Sequence, residues 1–340
     1  MQKFIERHLK RISLLSLILY PFSILYYLVQ IFRRKFYLRS LKYKSSLKVI
    51  SVGNITAGGS GKTPFTIFLT KKLMTEGYSV AVSHRGYKGK FEQDNCLISN
   101  RDGLLPEAEN AGDEALLLAE KLPGIPVITG KDRKKSLKML AEVFPDLQIV
   151  ILDDSFQHLK VQHDYDFLIF NQAGGIGNGF LLPAGILREP LSALKYADCI
   201  IYNGEGVIPM YLKKYQIKVK QGHYKTLGLF EGNNKEIQQS ELTQSKLALI
   251  SGIGNPQSFE NTISSLKLKW KEHFRFPDHH NYSASDIEKI NIQLKNQKID
   301  YLLTTEKDYT KLRKAELNCK LLVLRIEFYL EENTFPADLF

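Results

Sequence analysis

The sequence is short of cysteine and short of acid. Its three cysteines, Cys96, Cys199 and Cys319, are scattered through 340 residues with no CxxC and no His/Cys metal spacing. That excludes a disulfide-stapled scaffold and a structural zinc module, and it fits a body kept in a reducing cytoplasm. Acidic residues number 36 against 47 Lys plus Arg, a formal charge of +11. A chain that basic raises the question of nucleic acid. The location of the charge answers it, because residues 1–45 hold ten basic residues and one acid, and the other 295 carry only +2. A body so near neutrality has no stripe for a phosphate backbone, so nucleic acid is not an expected partner. No repeat or low-complexity segment is present, and 44% apolar residues exclude a disordered chain.

The basic N-terminus brackets an uncharged run, Ile12 to Phe32. As a helix, this run of residues 12–32 would measure about 31 Å, close to the roughly 30 Å of a bilayer's hydrocarbon core. It is longer than a signal-peptide h-region, and RRKFYLRS follows where small residues would mark a cleavage site. The alternatives of a span and an in-plane anchor stay open, since Pro21 interrupts the run, both flanks are positive, and Tyr20, Tyr26 and Tyr27 suit an interface.

From residue 46 short β-branched runs alternate with amphipathic stretches, the pattern of an α/β fold with a doubly wound parallel sheet. Expected strands are Lys48–Val52, Ser79–Ser83, Pro126–Thr129, Gln148–Leu152, Phe167–Phe170 and Cys199–Tyr202, with helices over Thr63–Glu76, Asp113–Lys121 and Arg133–Val143. A second series has strands Lys246–Ser251, Tyr301–Thr304 and Lys320–Leu324, and helices Gln257–Leu266, Ser285–Asn296 and Lys307–Arg313. The stretch between them is polar and aperiodic. The expected organisation is an anchor over 1–45, a core domain over 46–205, a linker over 206–245 and a smaller α/β domain over 246–340.

The first strand runs into Thr56, Ala57, Gly58, Gly59, Ser60, Gly61, Lys62 and Thr63. Glycines let successive backbone N–H groups face one centre, the lysine adds a point charge, and the threonine offers a hydroxyl at a helix start. The strict GxxxxGK[ST] pattern fails at its first position, where Thr56 stands, but the strand before and helix after restore a P-loop reading. A second apolar strand ends in Asp153 and Asp154, carboxylates suited to Mg²⁺ opposite a P-loop hydroxyl. A phosphoryl transferase also needs a proton acceptor, for which Asp113, His279 and His280 are candidates. RGYKGK (85–90) and GKDRKKS (130–136) are possible anion loops. GGIGNG (174–179) and GIGNP (252–256) do not give a dinucleotide fingerprint, and TTEKD (304–308) is not the guanine-reading NKxD.

Taken in order, VGNITAGGSGKTP, SHRGYKG, GDEALLLA, DDSFQH, GNGFLLPAGILREPLSAL, FPDHHNY and TTEKD resemble the tetraacyldisaccharide 4'-kinase family over about residues 45–315. Two positions depart from the family pattern, Ser155 where Gly is usual and Ile186 where Pro is usual. The resemblance implies a P-loop NTPase-type fold at the cytoplasmic face of a bacterial inner membrane. It implies transfer of phosphate from ATP, with Mg²⁺, to the 4'-hydroxyl of a tetraacylated disaccharide 1-phosphate. By the same resemblance Asp113 is the base and His279 its paired histidine. Thr63, Asp153, Asp154 and Glu189 are the expected Mg²⁺ positions, and residues 56–63 hold the nucleotide. Tyr87, Arg133, Gln157, His158 and Arg188 are expected at the sugar or its phosphate. The expected partners are the lipid substrate and an anionic lipid surface, with no protein partner evident. The residues alone leave two other readings, a membrane-tethered nucleotide switch or assembly ATPase, and a kinase for a soluble metabolite.

Overall fold

The computed structural model describes residues 11–232 and 235–331, with Leu9 and Phe335. Lys3, Arg7 and Lys10 of the basic flank lie outside them. The chain divides into two compact units, Met1–His223 with Phe328–Phe340, and Tyr224–Glu327.

Helix α1 (Leu14–Arg39) opens the first unit, capped by Ser13 through a capping box with Ser16. It is long and apolar enough to cross a membrane, and most of its large apolar side chains are exposed. Pro21 does not break it. An internal proline costs about 3 kcal/mol, and tertiary ties on both sides offset that. Tyr20 packs on Phe180 at 5.0 Å, the Ser23 hydroxyl donates to the Leu181 carbonyl at 2.8 Å, and Ser23 accepts the Ala184 N–H at 3.0 Å.

The sheet of this unit contains β1 (Lys48–Gly53), β2 (Val80–His84), β3 (Cys96–Ser99), β4 (Val127–Thr129), β5 (Ile149–Asp153), β6 (Tyr165–Asn171), β7 (Cys199–Asn203) and the start of β8 (Lys218–Glu231). Their order is β8-β7-β6-β1-β5-β2-β4-β3. All neighbours are parallel except β3 on β4. The central strands are buried from end to end, as continuous apolar runs require when helices cover both faces. Helices α2 (Lys62–Thr75), α3 (Asp113–Lys121) and α4 (Arg133–Val143) follow β1, precede β4 and precede β5. Strand order reverses at β1, which lies between β5 and β6, so the crevice beyond the carboxyl ends of β1 and β5 is where an open α/β sheet takes its ligand.

The second unit has β10 (Leu247–Ser251), β11 (Trp270–Arg275), β12 (Tyr301–Thr305) and β13 (Lys320–Leu330) in the order β11-β10-β12-β13, all parallel. The last part of β8 pairs antiparallel with β9 (Lys235–Ile237). Helices α7 (Pro256–Ser265), α8 (Ala284–Gln297) and α9 (Glu306–Leu312) complete it. The stretch 206–245 differs from the expected linker, for it carries α5 (Met210–Lys213), β8, β9 and α6 (Gln239–Thr243). Strand β8 has no long apolar run because it is only half buried along most of its length. The chain passes between units inside β8 and β13.

Candidate functional site

The loop after β1 reaches α2 through Gly61, whose φ of 89° makes it a left-handed N-cap that lacks a side-chain partner. Only glycine takes that conformation cheaply. A Cβ at Gly58 or Gly59 would meet nothing within 4 Å, so the space before the loop is open. The loop is braced from behind. Buried Asn54 donates through Nδ2 to the Ser60 hydroxyl at 2.8 Å, and Gln157 Nε2 donates to the Asn54 carbonyl at 2.7 Å. On its other side Thr56 bridges Leu187, and the Ala57 N–H donates to the Ile186 carbonyl at 2.7 Å.

Thr63 and Lys62 meet the end of β5. The Thr63 hydroxyl donates to Asp153 Oδ2 at 3.1 Å, and Lys62 Nζ lies 3.4 Å from Asp154 Oδ1. Arg188 Nη1 reaches the same Asp154 oxygen at 3.5 Å. Burial pushes the Asp153 carboxyl above the usual carboxylate range, against the pull of His84 and Lys62. Burial acts upward on Asp154 too, yet Lys62 and then Arg188 outweigh it and hold that carboxyl below its ordinary value. A buried carboxylate beside a threonine hydroxyl, both hard oxygen donors and one short of positive charge, fits Mg²⁺, which is usually held by one or two carboxylates with water and phosphate oxygens.

Asp113 is the first residue of α3, after Gly112. The Tyr87 carbonyl comes so near Gly112 that a Cβ there would meet it at 2.9 Å, which places the RGYKG loop beside this helix start. Next to it Glu114 lies 3.4 Å from His84 Nε2, while His84 Nδ1 accepts the Gly86 N–H at 2.9 Å. His84, Glu114 and Asp153 are thus electrostatic neighbours, so the end of β2 and the start of α3 face the carboxyl end of β5. Sequence reasoning missed Asn54, His84 and Glu114. For the last two the signal was present, since each adjoins a motif residue.

The profile of the tetraacyldisaccharide-1-P 4'-kinase family matches residues 15–339. The chain belongs to this family. Similar proteins include the tetraacyldisaccharide 4'-kinase of Pelobacter propionicus, 35% identical over 98% of this chain and 93% of that one. That of Halothermothrix orenii is 35% identical over 93% and 90%. Among solved structures, LpxK from Aquifex aeolicus in complex with ATP matches with a TM-score of 0.76 at 31% identity, over 94% of this chain and 96% of that one. The chain is therefore an enzyme, a phosphotransferase acting on an alcohol group, which decides against the nucleotide switch that the residues alone had left open.

Five of the expected site residues of this kinase have distinctive surroundings within the chain. Arg133 is buried and does not face open space. Its Nη2 donates to the Asp153 carbonyl at 2.6 Å and its Nη1 to the Ser83 hydroxyl at 3.1 Å, tying β5 to β2, and burial lowers its pKa to about 10. Gln157 braces the P-loop, and its own carbonyl accepts Arg33 Nη2 at 2.7 Å. His158 is kept neutral by burial, its pKa pushed down to about 4. Glu189 is buried against Arg34 of α1, with Arg34 Nη2 2.6 Å from Oε2. Its Oε1 is buried and has no hydrogen-bond partner among the described residues. Tyr87 is half exposed, with the Arg85 and Lys88 charges near its ring.

The two family departures are absorbed locally. The Ser155 hydroxyl donates to the Leu152 carbonyl at 2.8 Å and lies 3.0 Å from the Ser51 hydroxyl, so a residue larger than glycine is satisfied in the core. Ile186 keeps its carbonyl on the Ala57 N–H.

His279 belongs to the second unit. It has a φ of 61°, its N–H donates to the Gly252 carbonyl, and its Nε2 lies 3.2 Å from Lys307 Nζ. His280 instead contacts Asp286 at 3.0 Å and stacks on Phe276.

Proposed function

We propose that this enzyme transfers the γ-phosphoryl group of ATP to the 4'-hydroxyl of a tetraacylated disaccharide 1-phosphate, the step that yields lipid IVA, at the cytoplasmic face of a bacterial inner membrane. The observation that carries the reading is the Thr63 hydroxyl on buried Asp153 at the head of an open, glycine-lined loop. Lys62 and the loop N–H groups hold the nucleotide phosphates and neutralise charge developing in transfer. Thr63 and Asp153 would hold Mg²⁺, with Asp154 as a further candidate and Glu189 as one by the family resemblance alone. When bound, the ion supplies charge neutralisation across the phosphates.

Asp113 accepts the proton of the attacking hydroxyl, and the family resemblance gives His279 a catalytic role as well. Arg188 shares Asp154 with Lys62 and so lies at the phosphate end of the loop. Tyr87, on the loop beside Asp113, is placed to meet the sugar. The exposed apolar length of α1 lets the acyl chains stay in lipid while only the sugar head meets ATP in water. In the second half of the basic flank, Arg33, Lys35, Arg39, Lys42 and Lys44 add attraction to anionic lipid of about 1 kcal/mol for each one near the surface, while Arg34 is neutralised by Glu189.

The test is transfer of radiolabelled phosphate from ATP to a disaccharide lipid by the purified chain in mixed micelles. Label in the lipid at the 4' position is the expected result. Binding of nucleotide with no transfer to acylated acceptor, or equal transfer to soluble sugars, would refute the assignment.

A further inference from the structure

GIGNP (252–256) and TTEKD (304–308) have no part in the reading above, yet the structure brings both to FPDHHNY within the second unit. Buried Asp308 accepts the Gly252 N–H at 3.0 Å, the Tyr282 hydroxyl at 3.0 Å and the Thr305 hydroxyl at 2.7 Å. Gly252 has no room for a side chain, since a Cβ would meet Asp308 Oδ1 at 3.0 Å and the Pro277 carbonyl at 3.2 Å. The Gly252 carbonyl then takes the His279 N–H and fixes the left-handed backbone from which the histidine projects. The residue before Asp308, Lys307, reaches the histidine ring itself. Its ammonium lies 3.2 Å from His279 Nε2 and 2.9 Å from Asp278 Oδ1.

We propose that Lys307 is a positioning residue for His279: tethered by Asp278, it donates to Nε2 and so fixes the orientation and tautomer of the ring, with its proton on Nδ1. The inference rests on the role given to His279 above. An ammonium has three donors and no acceptor, so the ring nitrogen facing it must be the acceptor and unprotonated. A neutral imidazole with a bare Nε2 carries its proton on Nδ1, and the partner of one nitrogen sets the tautomer of the other. Asp278 Oδ2, 3.9 Å from the same nitrogen, would draw a protonated Nε2 toward itself if the lysine did not lie between them. The other charged and titratable groups of this joint are engaged elsewhere. Asp308 is on Gly252, Tyr282 and Thr305, His280 is on Asp286, and Lys311 donates to the His280 carbonyl. One helix start thus supplies both the backbone support and the ring partner, Asp308 and Lys307.

The experiment uses the full chain in micelles, labelled with ¹⁵N-histidine, with the His279 signals identified by their loss in His279→Gln. In the wild type the expected spectrum shows a protonated Nδ1 and a bare Nε2. In Lys307→Met the ring is expected to sample the other tautomer, read as a change in the two ring nitrogen shifts. The kcat is expected to fall at least about tenfold with the KM for ATP unchanged, and Lys307→Arg to restore most of it. A protonated Nε2 in the wild type overturns the proposal without any variant, and so does a Lys307→Met spectrum identical to wild type. Should Lys307→Met not fold, the wild-type spectrum and Lys307→Arg decide. Full lipid phosphorylation by His279→Gln would overturn the role of the histidine, whereas the nitrogen shifts read its contact with Lys307 independently of turnover.

Discussion

Arg34 is the charge whose removal should cost this fold most. It stands in the last third of α1, its side chain 10% exposed, against Glu189, 4% exposed, with Nη2 2.6 Å and Nε 2.9 Å from one carboxylate oxygen. Its guanidinium also lies 4.8 Å from the Phe156 ring and 4.6 Å from the Tyr196 ring. Arg34→Met fills similar space but leaves Glu189 charged in an apolar wall. Removing one partner of a buried pair costs about 3–5 kcal/mol, mostly for the charge left behind. We expect about 3 kcal/mol, because a carboxylate can recover part of the loss by taking up a proton. Glu189→Gln should cost less, since the amide oxygen still accepts from Arg34. The double variant should be only about 1–2 kcal/mol below wild type, giving a coupling of about 2 kcal/mol. For a unit of this size each kcal/mol is worth about 2–4 °C of Tm, so the single Arg34 variant should melt roughly 6–12 °C lower. Thermal melts of the four proteins in the same micelles measure this. Losses that simply add, or an Arg34→Met protein as stable as wild type, would refute the claim that the ion pair seats α1.

Three further outcomes follow from the site. Asp113→Asn should lower lipid phosphorylation by about 10²–10⁴-fold with ATP affinity retained, measured by initial rates and nucleotide titration; unchanged rates would remove Asp113 from the role of base. Thr63→Val should weaken Mg²⁺-ATP binding while leaving the melt of the nucleotide-free protein within about 1 kcal/mol, which calorimetry of binding and unfolding would separate. His158 stays neutral in the folded state down to a pKa of about 4 but takes its proton near 6.5 when unfolded. Its contribution is therefore fully present above pH 6.5 and is lost as pH falls toward 4, by about 1–3 kcal/mol. Denaturant midpoints across that window should flatten in His158→Gln; an unchanged slope would contradict the burial of the neutral ring.

The two helices expected over Asp113–Lys121 and Arg133–Val143 occur with those bounds, and the six strands of the first series occur within two residues, because each is marked by a period that burial imposes. Strand β8 was not legible, since a half-buried strand alternates too weakly to stand out among lysines and glutamines. Within the site, residues that act through the backbone were legible from glycine content together with the strand before and the helix after, as the P-loop was. Arg133 and Gln157 were not, because sequence shows that a basic or amide side chain is present but not whether it turns to solvent or inward. Arg133 turns inward to the carbonyl of Asp153, and the loop GKDRKKS (130–136) gave no sign of that direction. Glu189 has the same history, for its partner Arg34 lies 155 residues earlier, in a segment legible only as an apolar anchor.

Asp153 and Asp154 show why neighbours of one type need separate treatment. Asp154 has a φ of 51°, which turns it out of the strand direction that Asp153 keeps. That single turn sends one carboxylate to Lys62 and Arg188 and leaves the other buried with a hydroxyl. Asp154 is thus electrically complete within the protein, and its low pKa says that its charge is already compensated. Asp153 is buried, and that burial raises its pKa against the pull of His84 and Lys62, so a bound cation would offset the burial of its charge. Of the two adjacent acids, the one that is worse off in the bare chain is the one equipped to hold a cation, and the compensated one keeps Lys62 and Arg188 aligned at the mouth of the loop.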